Sequence, residues 1–286
     1  MIEPFADADG LVRVYPAHQP DGTGIVWAHG GGFAFGDLDM PESDWVARQL
    51  AARGTTVVSV DYRLAPVSGG MFGWDVPARA GAHFPAPSDD MLAAWAWTVE
   101  NADRLGVDPA RLAIGGTSAG GNLAAGAVLR LIAHGAPALP ALVVLAYPTL
   151  LAVQPQPGPE LRAALDASPD ADRFTPAVVL AMYENYVGGP VDDAPVGAVP
   201  GLASTADLAA FPPTLMINDD VDELRVSGEA FAAALRDAGR EVDVVTEPGT
   251  THGHLNRPDE PAASVSIDRI ATRLGALSTR LPSTSS

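Results

Sequence analysis

Ser118 stands in the run Leu112 to Asn122, LAIGGTSAGGN, where a strand pattern enters Gly116-Thr117-Ser118-Ala119-Gly120 and a helical pattern follows. A serine on such a strand-to-helix turn can present its hydroxyl as a nucleophile. The small flanking residues let the turn tighten, and a helix start leaves backbone amides without partners. Upstream, His29-Gly30-Gly31-Gly32-Phe33 directly follows the apolar strand pattern Ile25 to Ala28. Three consecutive glycines let N–H groups turn toward a ligand, which is what an oxyanion in acyl transfer requires. The serine then needs a base and the base an acid, in the chain order Ser, Asp or Glu, His. Downstream of Ser118 the histidines are His134, His252 and His254. His134 follows the helical pattern after Ser118 so closely that it suits a cap at that helix's C-terminus. His252 and His254 lie in PGTTHGHLN, a loop at a strand end, where catalytic residues gather. For the acid, the strand pattern Thr214 to Ile217 runs into Asp219, Asp220, Asp222 and Glu223, any one of which can orient an imidazole. From the residues alone, the two histidines and the four carboxylates all stay open.

The elements that must position these groups follow from hydrophobic periodicity. Apolar runs bounded by Gly and Pro predict strands over Leu11 to Tyr15, Ile25 to Ala28, Thr56 to Val60, Leu112 to Gly115, Ala141 to Ala146, Thr214 to Ile217 and Val242 to Val245. Helical spacing covers Pro41 to Arg53, Ser88 to Leu105, Gly121 to His134, Ser227 to Ala238 and Ala262 to Leu281. Ser88 before Asp89 and Asp90 suits a helix start, with a side-chain oxygen for free amides and acids at the positive end of the dipole. Strand and helix alternate, which predicts an α/β chain with a mostly parallel sheet and helices on both faces. Two stretches interrupt the alternation. Val67 to His83 is rich in Gly, Ala and aromatics, and Pro148 to Pro213 is rich in Pro and Asp with a helix near Pro176 to Tyr186. Both are expected to lie over one end of the sheet of a single domain spanning residues 1–286.

Composition narrows the partners. Apolar residues make up 47% and charged residues 18% of 286, ample for a buried core. There are 17 basic and 35 acidic residues, for a net charge of −18, and no lysine. Such a field repels phosphate backbones and anionic membrane surfaces, so nucleic acid and membrane are not expected as partners. Without cysteine there is no disulfide framework, and no zinc-type spacing is present, so neither a metal nor an organic cofactor is expected. The N-terminal MIEPFADADG carries acids where a secretory signal would carry positive charge, which reads as cytoplasmic. The longest apolar stretch, Ala136 to Val153, is broken by Pro137, Pro140 and Pro148 and fails as a membrane span.

HGGGF, Asp61-Tyr62-Arg63-Leu64-Ala65-Pro66, Phe84-Pro85-Ala86-Pro87 with Asp89-Asp90, and GTSAGGN together resemble the hormone-sensitive-lipase-like family of alpha/beta hydrolases, in that family's order. The resemblance implies an alpha/beta-hydrolase fold and a serine carboxylesterase acting on small carboxylic esters through an acyl-enzyme, without a cofactor. It also selects among the open residues. The family's D-x-L-R run is matched by Asp222-Glu223-Leu224-Arg225, which implies Asp222 as the acid, and its HGF-like histidine aligns with His252. It implies an oxyanion hole from the amides of Gly31, Gly32 and Ala119, with Gly30 the weaker candidate. Thr117 replaces an aspartate common in the family, but a subgroup is similar to this GTSAG form. His254 stands where an aromatic is usual, which puts it in the acyl-pocket wall or at the surface. Only 28 residues precede HGGGF, so the family's N-terminal cap looks reduced. Met71, Phe72 and Trp74 in the extra loop are expected to replace part of it and, with Phe33, to line the substrate pocket. The apolar surface left by a smaller cap also suits a homodimer. Amide or formamide hydrolysis, as in arylformamidase-like relatives, uses the same residues. A non-catalytic small-molecule receptor is a third reading, disfavoured by the intact histidine.

Overall fold

The computed structural model describes residues 3–69, 76–171 and 173–279. In chain order its strands are β1 (Phe5–Asp7), β2 (Val12–Tyr15), β3 (Gly24–Ala28), β4 (Thr56–Val60), β5 (Leu112–Thr117), β6 (Leu142–Ala146), β7 (Thr214–Val221) and β8 (Val242–Thr251). The α-helices are α1 (Asp44–Ala52), α2 (Ala86–Glu100), α3 (Ala102–Leu105), α4 (Ser118–Ala133), α5 (Pro159–Ala167), α6 (Pro176–Val187), α7 (Arg225–Asp237) and α8 (Pro261–Gly275).

The strands form one sheet in the order β1-β2-β4-β3-β5-β6-β7-β8. β1 and β2 run antiparallel to their neighbours, while β4 and β3 and then β5 through β8 pair in parallel. The parallel strands are covered on both faces, which is why β3, β4 and β6 read as continuous apolar runs with every residue buried. Alternate residues still face opposite ways. Val26 and Ala28 join Val58, Ile114 and Val143 under α2, α4 and α7, while Ile25 and Trp27 join Val57, Ala113 and Val144 under α1 and α8.

The alternation expected from the sequence is present, with differences at several boundaries. β1 is too short for periodicity to reveal; it exists because β2 offers an antiparallel partner edge. Helix α2 starts at Ala86, with Pro87 in its first turn, because proline there gives up only an amide that has no intrahelical partner. Ser88 is therefore not the cap: it is buried in the helix, and its hydroxyl accepts from Arg130 Nη1 at 2.7 Å. β7 runs on through Asn218, Asp219 and Asp220 because β8 continues to pair with it, so polar residues that read as loop are strand. His134 is the C-terminal cap residue of α4, its Nδ1 2.6 Å from the carbonyl of Arg130.

The stretch from Pro148 to Pro213 holds α5 and α6. Helix α6 is pinned to α4 through Tyr183, whose hydroxyl accepts from Asn122 Nδ2 at 2.8 Å and donates to the carbonyl of Thr149 at 2.9 Å. In the other interruption, Val67 and Arg79 pair as an antiparallel bridge, and the Arg79 guanidinium donates to the carbonyls of Ala34 and Ala65. Met71, Phe72 and Trp74 lie outside the described residues. No helix among the described residues is long and apolar enough to cross a membrane.

Candidate active site

Neighbouring β3 sits between β4 and β5, so the connections leaving β3 and β5 diverge to opposite sides of the sheet. A crevice opens at the carboxyl ends of strands where the order reverses in this way. The HGGGF loop leaves β3 there, Ser118 leaves β5, Asp222 follows β7 and His252 follows β8. Four stretches, the first and last more than two hundred residues apart, thus meet at one edge of the fold.

Ser118 is the first residue of α4 and adopts φ 49°, a left-handed conformation uncommon for a side chain larger than glycine. The strain is held by the crossing of β3: a Cβ on Gly120 would lie 2.2 Å from the carbonyl oxygen of Ala28, so only glycine fits beneath the turn. The hydroxyl lies 3.0 Å from His252 Nε2, and His252 Nδ1 lies 2.7 Å from Asp222 Oδ2. Asp222 cannot donate as a carboxylate, so Nδ1 carries the proton and Nε2 accepts from the serine. The other oxygen of Asp222 accepts from the amide of Leu224 at 3.0 Å, which fixes the carboxylate. Burial of the His252 ring opposes its charging, but Asp222 and then Asp219 and Glu42 outweigh that, and its pKa is raised above the usual imidazole value. The ring is wedged edge-on between Tyr147 and Phe174, with centroids at 5.2 Å and 4.4 Å.

All four carboxylates left open by the sequence have distinct partners. Asp222 serves His252. Asp219 is bonded to His254. Asp220 accepts from the amide of Gly249 at 2.9 Å and faces Arg225. Glu223 accepts from the amide of Phe174 and so ties the α6 approach to the β7 end.

The glycine loop turns sharply at Gly31, whose φ of 109° excludes any side chain, since a Cβ would meet the carbonyl of Phe35 at 2.1 Å. Glu42 fastens the loop from below. Its Oε1 accepts from the amide of Gly30 at 2.6 Å and its Oε2 from the Tyr147 hydroxyl at 3.0 Å. Its own carbonyl accepts from Trp27 Nε1 at 2.8 Å, and its amide donates to Asn256. With Gly30 engaged, the amides of Gly31, Gly32 and Ala119 donate to no acceptor among the described residues. They are the backbone donors available beside Ser118.

A cavity of about 290 Å³ opens over the serine between Gly31, Gly32 and His252 on one side and Phe174, Val178 and Met182 on the other. The lip also carries Met40, Arg173 and Arg257. Two expected pocket residues are not in its wall. Phe33 is fully buried and stacks on Tyr186 with centroids 4.1 Å apart, because the turn after Gly32 sends its side chain into the core under α6. His254 is neither in the wall nor at the surface: it is fully buried, with its Nε2 2.8 Å from Ser266 Oγ. Conversely, Glu42, Tyr147, Phe174 and Met182 went unremarked in the sequence. Nothing in their local context distinguishes them, since what makes them site residues is proximity across the sheet ends. Among the described residues, one group has metal-ligand chemistry: Asp219, Asp222 and His252, with donor atoms within 4.8 Å of one another. An ion there would have to displace the proton shared by His252 and Asp222.

Known proteins share this arrangement of sequence and fold. Residues 25–256 match the family described as alpha/beta hydrolase fold. The chain is 34% identical over 258 residues to a protein of Pseudomonas putida named ethyl acetate hydrolase, covering 85% of this chain and 71% of that one. It is 36% identical over 260 residues to the carboxylesterase NlhH of Mycobacterium tuberculosis, covering 87% and 73%. Among solved structures, the thermostable carboxylesterase EstE1, cloned from a metagenomic library, superposes with a TM-score of 0.76 at 29% identity over 94% of this chain and 85% of that one. An esterase from the archaeon Pyrobaculum calidifontis superposes at 0.77 with 31% identity over 94% and 82%. With the family matched over most of its length and relatives of this identity along nearly all of it, the chain belongs to the alpha/beta-hydrolase family, among its hormone-sensitive-lipase-like esterases.

Proposed function

We propose that this enzyme hydrolyses small carboxylic esters through an acyl-enzyme on Ser118, with His252 as base and Asp222 as the acid that orients it. The observation that carries the reading is the unbroken chain from Ser118 Oγ through His252 to Asp222, beside the amides of Gly31, Gly32 and Ala119, which have no acceptor among the described residues, at a cavity lined by Gly31, Gly32 and Ser118. In the first half-reaction His252 Nε2 takes the serine proton as Oγ attacks the ester carbonyl. Asp222 holds the imidazole in the tautomer that permits this and stabilises the imidazolium. The amides of Gly31, Gly32 and Ala119 receive the negative charge that develops on the carbonyl oxygen, and they need no reorganisation to do so. The alcohol then leaves with the proton from His252, and water repeats the sequence to release the acid.

The names of the relatives, an ethyl acetate hydrolase and a carboxylesterase, support ester over amide chemistry. The cavity is at the small end of ligand pockets and mostly apolar on the α6 side, which suits a short acyl or alkyl group against Phe174, Val178 and Met182. In this reading the 148–213 segment serves as the cap. Ser118→Ala is expected to abolish turnover of a short-chain aryl ester, and a fluorophosphonate is expected to label wild-type Ser118. A folded S118A protein retaining most of its activity would refute the assignment. Turnover of a matched formamide faster than the ester would transfer it to amide chemistry.

A further inference from the structure

Behind the His252–Asp222 pair lies a second carboxylate–imidazole pair. Asp219 and Asp222 are three residues apart, a spacing that in a regular strand points two side chains to opposite faces. The pairing of β7 with β8 shifts register between Asp219 and Val221, and such a bulge re-aims the residues around it. The result is that donor atoms of Asp219, Asp222 and His252 all lie within 4.8 Å of one another. His254 Nδ1 is bonded to Asp219 Oδ1, and His254 Nε2 is held 2.8 Å from the hydroxyl of Ser266 on α8. Asp219, His254 and Ser266 are all fully buried.

The order of groups repeats that of the catalytic set, yet Ser266 borders no cavity over the nucleophile and cannot meet its substrate. The second oxygen of Asp219 has no hydrogen-bond partner among the described residues. A buried carboxylate oxygen left unbonded is costly, and it calls for a role in which the charge acts on a neighbour. The neighbour is His252. Tyr147 stands edge-on to both rings, 5.2 Å from His252 and 5.3 Å from His254, between the two pairs.

We propose that Asp219, held by His254 and Ser266, is a positioning residue of the hydrolytic reaction, a second negative charge that stabilises the imidazolium formed when Ser118 gives its proton to His252 Nε2. The inference rests on the catalytic reading of Ser118, His252 and Asp222. Asp219 takes no proton; the serine proton passes to His252 and from there to the leaving alcohol. The other groups facing His252 are Asp222 beyond β7, Glu42 ahead of α1, the Tyr147 phenol after β6 and Ser118 on α4. Arg257 donates to the carbonyl of His252, and Arg173 shares its cavity wall. Of the carboxylates facing the ring, Asp219 is second to Asp222 in raising its basicity.

The test is kcat and KM against pH for a short-chain aryl ester, with wild type, Asp219→Asn and the double variant D219A/H254F. The double variant removes both members of the buried pair, so it leaves neither an unpaired carboxylate nor an imidazole stripped of its partner, and replacements of that kind are commonly tolerated by the fold. The expected result in both variants is an acid-limb midpoint of kcat/KM lower by about one pH unit, the scale of a nearby partly screened charge, with kcat lower by about tenfold and KM little changed. A merely structural role would lower thermal stability and leave the midpoint in place. If folded D219N or D219A/H254F keeps the wild-type midpoint while wild-type Ser118 is still labelled by fluorophosphonate, the role of Asp219 is refuted and the catalytic reading survives. If wild-type Ser118 is not labelled, the catalytic reading fails first.

Discussion

Replacing Glu42 should loosen the oxyanion loop while leaving the serine, the histidine and the acid themselves in place, with only a minor electrostatic effect on His252. Glu42 is buried, and its two carboxylate oxygens accept from Gly30 N–H at 2.6 Å and Tyr147 O–H at 3.0 Å. In Glu42→Ala both donors lose their acceptor in a region closed on one side by the sheet. Leaving a buried donor unsatisfied costs about 1–3 kcal/mol, so two such losses amount to about 2–6 kcal/mol. Glu42 also borders the cavity, which lets water satisfy part of that demand and brings the expected loss to about 2–4 kcal/mol. For a chain of this length that corresponds to a fall in Tm of about 3–7 °C. The catalytic consequence is larger than a stability change alone. The amides of Gly31 and Gly32 are aimed by a loop whose first glycine is no longer tied, and loss of a single oxyanion donor costs about 100- to 1000-fold in kcat. A displaced but present loop should lose less, about 10- to 100-fold, with KM changed little because the ground-state carbonyl depends less on these donors. Glu42→Gln keeps the carbonyl acceptor for Gly30 and should retain most of the stability and at least about a fifth of kcat. The assay is a thermal melt of each variant followed by initial rates on a short-chain aryl ester. A stable E42A enzyme with kcat within twofold of wild type would show that Glu42 does not aim the loop.

Further outcomes follow from the same geometry. Asp222→Asn should lower kcat by about 1000- to 10,000-fold, because an amide at 2.7 Å favours the wrong imidazole tautomer; steady-state rates with retained fluorophosphonate labelling of Ser118 at long times check it. The acid limb of kcat/KM should have its midpoint above the ordinary imidazole value, since burial of His252 is outweighed by Asp222, Asp219 and Glu42; a midpoint below that value contradicts the electrostatics. The same raised pKa adds stability that is fully present below the unfolded imidazole pKa and is lost as pH rises through the folded one, measurable as a small decrease in denaturation midpoint across that window. Gly120→Ala should fold poorly or melt lower by several degrees, because its Cβ would lie 2.2 Å from a backbone oxygen of β3 that has no side-chain freedom to yield.

Much of the site was legible because its parts are local patterns. The turn around Ser118 needs small residues at particular positions within five, and the glycine loop needs three in succession after a strand, so spacing alone exposes both. The alternation of strand and helix carried the sheet's parallel character for the same reason. Legibility ended where a contact depends on register. Asp219, Asp220, Asp222 and Glu223 are equivalent in the sequence, and the motif resemblance picked Asp222; the structure shows that each has its own partner because β7 bulges against β8. Glu42 reads as an ordinary acid before a helix, yet it reaches Gly30 twelve residues back and Tyr147 more than a hundred residues ahead.

The sequence by itself therefore determined the chemistry on offer: a serine on a tight strand-to-helix turn, a glycine loop able to present its amides, and histidines and acids after them in workable order. Tertiary structure decided which histidine meets the serine, which acid meets that histidine, and that His254, expected in the pocket or at the surface, is instead buried on Asp219. The physical reason is that turns and periodicities are set by neighbours along the chain, whereas distances of 3 Å between strand ends are set by pairing register, a bulge and the packing of α6 and α8 over them.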